Sequence, residues 1–483
     1  MNIATVLRLL GLIVTMFSLT MLPPVVVSLS YGDASWLPFV QTFGILLAAG
    51  LALWLPVRSV ERDLKLRDGF LVVALFWIVL TLAGALPFLL GESPRLGFTD
   101  AVFESAAGIT TTNATVIVGL DALPKSVLWY RQQVQWLGGL GVIVLAVALF
   151  PVLGIGGMQL YKSDTPGPVK DEKLTPRIWQ TARALSGVYV LLTIACAMAY
   201  ALAGMEAFDA VAHAFSTVST GGFSPYDAGL AHFNSYAIDM VALVFMFFGG
   251  VNFALHFVAW RTKDALAYFS DPQFRAYLWV SVSLIALVTG YLLATGAYAS
   301  LADAFRYGAV QVVSMQSTTG FVAAPFAGWP GMLPALLMLI TFIGGCAGST
   351  AGGMKVIRWQ LVLKQAQREL TRLLHPSAAL PVKFADTRVP GRVLAAVTGF
   401  FAMYLVLFGL MMLMMMATGL DQVTSWSAVA ACINNAGPGL GDVAGGFKHV
   451  PEAAKWISIV AMLVGRLEVF TVVVLFTPAF WRH

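Results

Sequence analysis

Four short stretches of small polar residues and glycine have the composition to ligate a cation with oxygen. They are Gly108-Ile109-Thr110-Thr111-Thr112-Asn113-Ala114-Thr115, Val218-Ser219-Thr220-Gly221-Gly222-Phe223, Gln316-Ser317-Thr318-Thr319-Gly320-Phe321 and Ile433-Asn434-Asn435-Ala436-Gly437-Pro438. Carbonyls replace the water around an ion when the backbone is free of regular hydrogen bonding. Glycine permits the dihedrals that turn successive carbonyls inward, and Thr and Ser add hydroxyl oxygens. One such stretch alone reads equally as a helix contact or a loop turn, because small residues are common where membrane helices pack. Repetition decides otherwise. Successive copies are spaced by 109, 98 and 117 residues, and a period near 100 marks a structural repeat.

The copies differ. Asn113 stands where the others have Gly222, Gly320 and Gly437. Asparagine tolerates a left-handed backbone better than most residues, so it serves either as a stand-in for glycine or as a change in ion preference through its amide. Asp100 and Asp209 each lie thirteen residues before that last position. Asp303 lies slightly earlier in the third copy, and the fourth reads as lacking an acid.

A second feature runs from Phe342 to Lys355. Gly344, Gly345, Gly348, Gly352 and Gly353 fall within ten residues of an apolar run, with Ser349 between them. Glycine costs about 1 kcal/mol against alanine in a helix, so an unwound loop that can occlude the path and move as a gate is expected. A close glycine-mediated helix crossing is the alternative. A phosphate loop fits poorly, since Met354 stands where lysine is required and no strand precedes it. The third feature is Arg466, near the middle of the last apolar run, where an unpaired charge is costly. It is expected to face a partner or an aqueous cavity, neutralising a carboxylate or slowing cation escape. Glu468 points to another helix face, so pairing within the helix is poor. His213, His256, Cys196, Cys346 and Cys432 show no catalytic, metal or disulfide spacing.

The elements that must position these residues are membrane spans. The 483 residues are 59% hydrophobic and 11% charged, with a mean hydropathy of +0.81. Soluble domains are about 25% charged, so the bilayer is the solvent. Spans are predicted near 8–30, 36–56, 69–90, 127–153, 180–203, 235–260, 275–296, 331–370 (interrupted), 391–418 and 454–480. The first is too long for a signal-peptide core. Segments 99–113, 207–222, 302–320 and 423–438 are too short to cross and read as re-entrant. With the N-terminus cytoplasmic, 21 of the 29 Lys and Arg fall on the inner side, as the positive-inside rule requires. Arg131 and Lys455 are then outer-face charges. The fold class is an all-α integral membrane protein of ten transmembrane helices. Residues 1–66 form two N-terminal helices. Residues 67–160, 161–262, 263–385 (with the gate loop 344–355) and 386–483 form four span–pore loop–span repeats around one pseudo-fourfold pore.

With these residues in hand, the chain resembles the TrkH-type potassium uptake proteins of the Trk/Ktr/HKT superfamily. The resemblance is carried over nearly the full length by FESAAGITTTNAT (103–115), GGMQLY (156–161), STGGFS (219–224), SMQSTTGF (314–321), FIGGCAGSTAGGMKVIR (342–358), NNAGPGLG (434–441) and GRLEVFTVVVLFTP (465–478). It implies K⁺ uptake across the bacterial inner membrane. The filter positions it implies are Thr110, Thr111, Thr112 and Asn113; Ser219, Thr220, Gly221 and Gly222; Ser317, Thr318, Thr319 and Gly320; and Asn434, Asn435, Ala436 and Gly437. Its gate loop falls on Gly344 to Lys355 and its pore arginine on Arg466. It further implies a homodimer and a cytosolic TrkA ring that binds nucleotides. This chain has no nucleotide motif, so no organic cofactor of its own is expected, and the basic loops 162–183 and 358–392 are candidate docking surfaces. Asn113 departs from the family's glycine. Relatives with serine there tend toward Na⁺, so a Na⁺-permeable or K⁺/Na⁺ (or K⁺/H⁺) symporting member is the rival. An intramembrane enzyme would need paired titratable groups within the spans, where only Lys355, Arg466 and Glu468 occur. An alternating-access carrier would more often show inverted repeats.

Overall fold

The computed structural model describes residues 3–60, 66–148, 174–378, 380–385 and 387–481. The motif at 156–161, the end of the fourth predicted span at 153 and most of the 162–183 loop lie outside them.

The chain opens with a helical hairpin. α1 (Ile3–Ser18) continues through one tighter helical turn into α2 (Leu22–Tyr31), and α3 (Trp36–Trp54) returns. A long, short, long order then recurs four times. First come α4 (Leu66–Leu90), α5 (Phe98–Ile109) and α6 (Lys125–Ala148). Next are α7 (Leu174–Leu202), α8 (Ala207–Val218) and α9 (Tyr236–Gly249), which bends by 98° into α10 (Phe253–Thr262). After the short α11 (Ala267–Ser270) come α12 (Pro272–Ala294), α13 (Leu301–Gln316) and a span split into α14 (Leu333–Ile343) and α15 (Val356–Leu374). The last set is α16 (Gly391–Ala417), α17 (Gln422–Ile433) and α18 (Glu452–Leu467), which bends by 108° into α19 (Val469–Leu475) before α20 (Pro478–Trp481). A single two-residue hairpin, β1 (Lys383–Phe384) with β2 (Thr387–Arg388), follows α15 among the described residues.

Among the described residues, six spans are unbroken, long and apolar enough to cross a bilayer, and the two bent pairs add two more. The split α14/α15 and α6 complete the expected ten. α6 is the polar one because Arg131, Gln132, Gln133 and Gln135 are all buried among its neighbours. Large apolar side chains such as Leu191, Met198, Trp279, Leu405 and Leu413 face outward, the reverse of a soluble protein and suited to lipid.

Two breaks differ from expectation. The sixth span was expected to be continuous over 235–260, but it turns at Gly250-Val251-Asn252. The last was expected to be continuous over 454–480, but it breaks at Glu468, whose φ is +58°. Arg131, counted with the outer-face charges, sits in the second turn of α6 and is buried, with 1% exposure.

The short helices start on polar groups. Ser300 accepts from the Asp303 amide at 3.0 Å, and Asp421 accepts from Val423 N and Thr424 N at 2.9 and 3.3 Å. Asp100 and Asp209 lie in the first turns of α5 and α8. Negative charge at a helix N-terminus satisfies free amides and the dipole. The fourth repeat therefore has its acid after all, in Asp421.

Candidate ion pathway

The four short helices end in the same backbone form. The first residues of the four stretches (Thr110, Ser219, Ser317, Asn434) keep negative φ, between −85° and −73°. The second residues are left-handed: Thr111 at +52°, Thr220 at +51°, Thr318 at +55° and Asn435 at +53°. The fourth are left-handed again: Asn113 at +65°, Gly222 at +78°, Gly320 at +79° and Gly437 at +85°. A β-branched residue at positive φ is an outlier costing on the order of 1–2 kcal/mol, so three such threonines at one place indicate strain held by the surroundings. The amides turn back onto the helix ends. Thr112, Gly221, Thr319 and Ala436 each donate to the carbonyl five residues earlier at 2.8 Å. The C-terminal, partially negative ends of four helices thus meet these stretches, which favours a cation between them.

The stretches close a ring in chain order. A Cβ on Gly222 would overlap Thr319 O, one on Gly320 would overlap Ala436 O, and one on Gly437 would overlap Thr112 O. Glycine is required there by both dihedral and space. At the matching place in the second repeat, Gly221 O accepts instead from Gln135 Nε2 at 2.7 Å, while Gln135 Oε1 accepts from Phe223 N at 3.0 Å. Asn113 does more than replace glycine. Its Nδ2 donates to Gly320 O at 2.6 Å, joining the first repeat to the third.

The side-chain hydroxyls are largely committed elsewhere. Thr110 bonds Thr112, and Ser317 bonds Thr319, each at 2.7 Å. Asn434 accepts from Tyr404 Oη at 2.6 Å and donates to Thr341 Oγ1 at 2.9 Å. Asn435 donates to Met462 O and Thr112 Oγ1, both at 2.9 Å. The ring therefore offers carbonyls, with side chains fixing their positions.

The glycine-rich break, Gly344 to Lys355, lies against the ring on the side of its first and second residues. Gly352 N donates to Thr318 Oγ1 at 2.6 Å, and Gly353 N to Asn434 O at 3.0 Å. Thr350 Oγ1 lies 3.1 Å from Thr220 Oγ1, Val218 O and Gly249 O. A Cβ on Gly352 would overlap Asn434 O. The loop also bonds the bend of the sixth span: Cys346 N donates to Gly250 O at 2.8 Å, and Phe253 N to Gly348 O at 3.0 Å. Ser349 turns its hydroxyl onto Cys346 O within the loop, and Lys355 bonds Ala351 O there.

Arg466 completes the contact. Its Nη1 donates to Thr350 O at 2.9 Å and its Nη2 donates to Thr111 Oγ1. It faces polar partners and a small cavity, as expected, but not a carboxylate: among the described residues its hydrogen bonds go to a carbonyl and a hydroxyl. Glu468 instead pairs with Arg358 at 2.5 Å, across to α15. Loop and arginine together touch all four stretches.

The two sides of the ring differ in openness. A vestibule of about 380 Å³ opens on the fourth residues, lined by Asn113, Gly222, Gly320 and Gly437. On the loop side the cavity beside Ser349, Gly352, Lys355, Arg466 and Glu468 is about 40 Å³, little more than room for one or two waters. All three cysteines are buried and unpaired, and His213 and His256 are held in hydrogen bonds rather than grouped. Sequence reasoning missed Gln135 and Tyr404. Their only signal was a polar side chain inside an apolar span.

Comparison with known proteins agrees with this architecture. The family described as TrkH, cation transport protein, matches residues 37–483. The Trk system potassium uptake protein TrkH of Halomonas elongata is 52% identical over 482 residues, with both chains fully covered. Its namesake in Escherichia coli K12 is 49% identical over 483 residues, again over all of both chains. The crystal structure of the potassium transporter TrkH from Vibrio parahaemolyticus superposes with a TM-score of 0.94 at 50% identity, covering all of both chains. This chain, a transport protein and not an enzyme, belongs to the TrkH family of cation transport proteins.

Proposed function

We propose that this protein takes up K⁺ across the bacterial inner membrane, with its N-terminus cytoplasmic. Ions pass through a filter formed by 110–113, 219–222, 317–320 and 434–437, one stretch from each of the repeats 67–160, 161–262, 263–385 and 386–483. The loop 344–355 with Arg466 is the gate. The observation that carries this reading is the repeated alternation of backbone hand in four loops closed into one ring, with the glycine-rich loop and Arg466 bonded to all four. Relatives that share about half of its residues are named potassium uptake proteins. Carbonyls on an asymmetric but closed ring suit an alkali cation better than a divalent ion, which would recruit carboxylates. The protein works as a homodimer with a TrkA-type nucleotide-binding ring on the cytosolic side, docked on the basic segments 162–183 and 358–392.

A Na⁺-permeable or K⁺/Na⁺ (or K⁺/H⁺) symporting member is the second reading. The Asn113 amide favours it, because that group occupies one ring carbonyl. Expression in a K⁺-uptake-deficient bacterium tests the main reading. Growth at low K⁺ with TrkA present supports it, and no rescue would count against it.

A further inference from the structure

The residue nine positions before the end of each ring stretch lies buried in its short helix, and the four differ in chemistry: Glu104, His213, Gln311 and Ala428. In the first two repeats this residue ties down the residue two positions after the ring. Glu104 accepts from Thr115 Oγ1 at 3.0 Å and from Val116 N at 3.0 Å. His213 Nε2 lies 3.1 Å from Ser224 Oγ. In the third repeat neither amide atom of Gln311 finds a partner among the described residues, and Ala428 has no polar group to offer.

Arg131, on α6, joins the first two tethers. Its Nε and Nη2 meet Glu104 Oε1 at 2.8 Å in a pair exposed by 1% or less. Nη2 also donates to Thr115 Oγ1 at 3.2 Å and Nη1 to Ser224 O at 3.2 Å. The guanidinium lies 4.2 Å from the ring centroid of Phe223, the residue directly after Gly222. A buried charge is tolerated only when paired and hydrogen-bonded, and a satisfied network of this kind fixes the groups it touches. Arg131 reaches the wall of the vestibule, but it holds backbone, not the ring carbonyls themselves.

We propose that Glu104 and Arg131 are positioning residues that set the spacing of ring carbonyls in the first two repeats, and so the discrimination between K⁺ and Na⁺. This rests on the ring being the ion filter. Among the described residues the third and fourth repeats lack the charged clamp, so ion preference depends on one half of the ring being held from behind.

The test is competing K⁺ and Na⁺ flux into liposomes containing the purified full chain, wild type against Glu104→Gln, Arg131→Gln and Arg131→Lys. Charge alone predicts opposite shifts in the KM for K⁺, since Glu104→Gln leaves a positive vestibule wall and Arg131→Gln a negative one. Positioning predicts that all three lose K⁺/Na⁺ discrimination in the same direction, by at least about threefold, as for loss of a net hydrogen bond. Arg131→Lys keeps the charge but loses the fork, so its K⁺ KM stays near wild type while discrimination falls. Where the charged variants do not fold, as judged by gel filtration, Thr115→Val removes a hydroxyl from the network without unpairing a charge, and a drop in discrimination is again expected. Folded variants with wild-type discrimination would overturn the inference alone. Wild-type protein that passes no K⁺ would overturn the transport reading and the inference with it.

Discussion

Asn113 and Gly320 belong to repeats on opposite sides of the ring, and the Asn113 amide donates to the Gly320 carbonyl at 2.6 Å. In the other three repeats a glycine occupies that position and presents no side chain. One ring carbonyl is therefore shared with an amide.

Asn113→Gly releases that carbonyl. A single hydrogen bond contributes a net ~0.5–1.5 kcal/mol, so K⁺/Na⁺ discrimination in flux assays is expected to rise by about two- to tenfold. An unchanged ratio would make Asn113 a tolerated replacement for glycine and nothing more.

Gly222, Gly320 and Gly437 each combine positive φ with a neighbouring carbonyl where a Cβ would sit. Alanine at any one costs about 1–2 kcal/mol from the dihedral alone, and the overlap with backbone adds to it. Each single variant should lose K⁺ uptake in the complementation assay while still inserting in the membrane. Normal uptake by Gly320→Ala would contradict the ring packing.

Gly352 lies so close to Asn434 O that alanine must push the loop off the ring. Gly352→Ala is expected to raise basal flux without TrkA, and deletion of Gly345 to Gly352 to raise it further. Unchanged dependence on TrkA in both would argue against this loop as the gate.

Arg466 holds Thr350 and Thr111 through two separate nitrogens. Lysine cannot reproduce that fork. Arg466→Lys should therefore leak nearly as much as Arg466→Gln in single-channel or liposome recordings. A tight Arg466→Lys would mean that its positive charge, not its geometry, restrains the ion.

The sequence made the ring and the broken span legible because both depend on glycine, which marks unusual backbone wherever it clusters. Glu468 and Asn252 were less readable. Each sits at a sharp turn, yet neither glycine nor proline occupies the turn at Glu468, and Gly249 and Gly250 look like ordinary small helix residues. Asp421 is an N-cap sixteen residues before Gly437, close to the seventeen between Asp303 and Gly320, so the sequence did carry this acid and a strict thirteen-residue count passes over it. The partners of Arg466, Arg131 and Glu468 are tertiary. They lie 355, 27 and 110 residues away in the cases of Thr111, Glu104 and Arg358, and no local spacing reports such pairs. Thr111, Thr220 and Thr318 were expected to lend hydroxyls to the ion. Their left-handed backbone instead aims those hydroxyls at the loop and Arg466, a consequence of dihedrals that threonine rarely adopts.

Whether the four-loop ring conducts K⁺ is decided with purified protein in liposomes, loaded for K⁺ flux and challenged with rising Na⁺. K⁺ flux should compete weakly with Na⁺ and be abolished by Gly320→Ala. Flux that is equal for the two ions would place the protein with the Na⁺-permeable reading, and flux indifferent to Gly320→Ala would contradict passage through the ring.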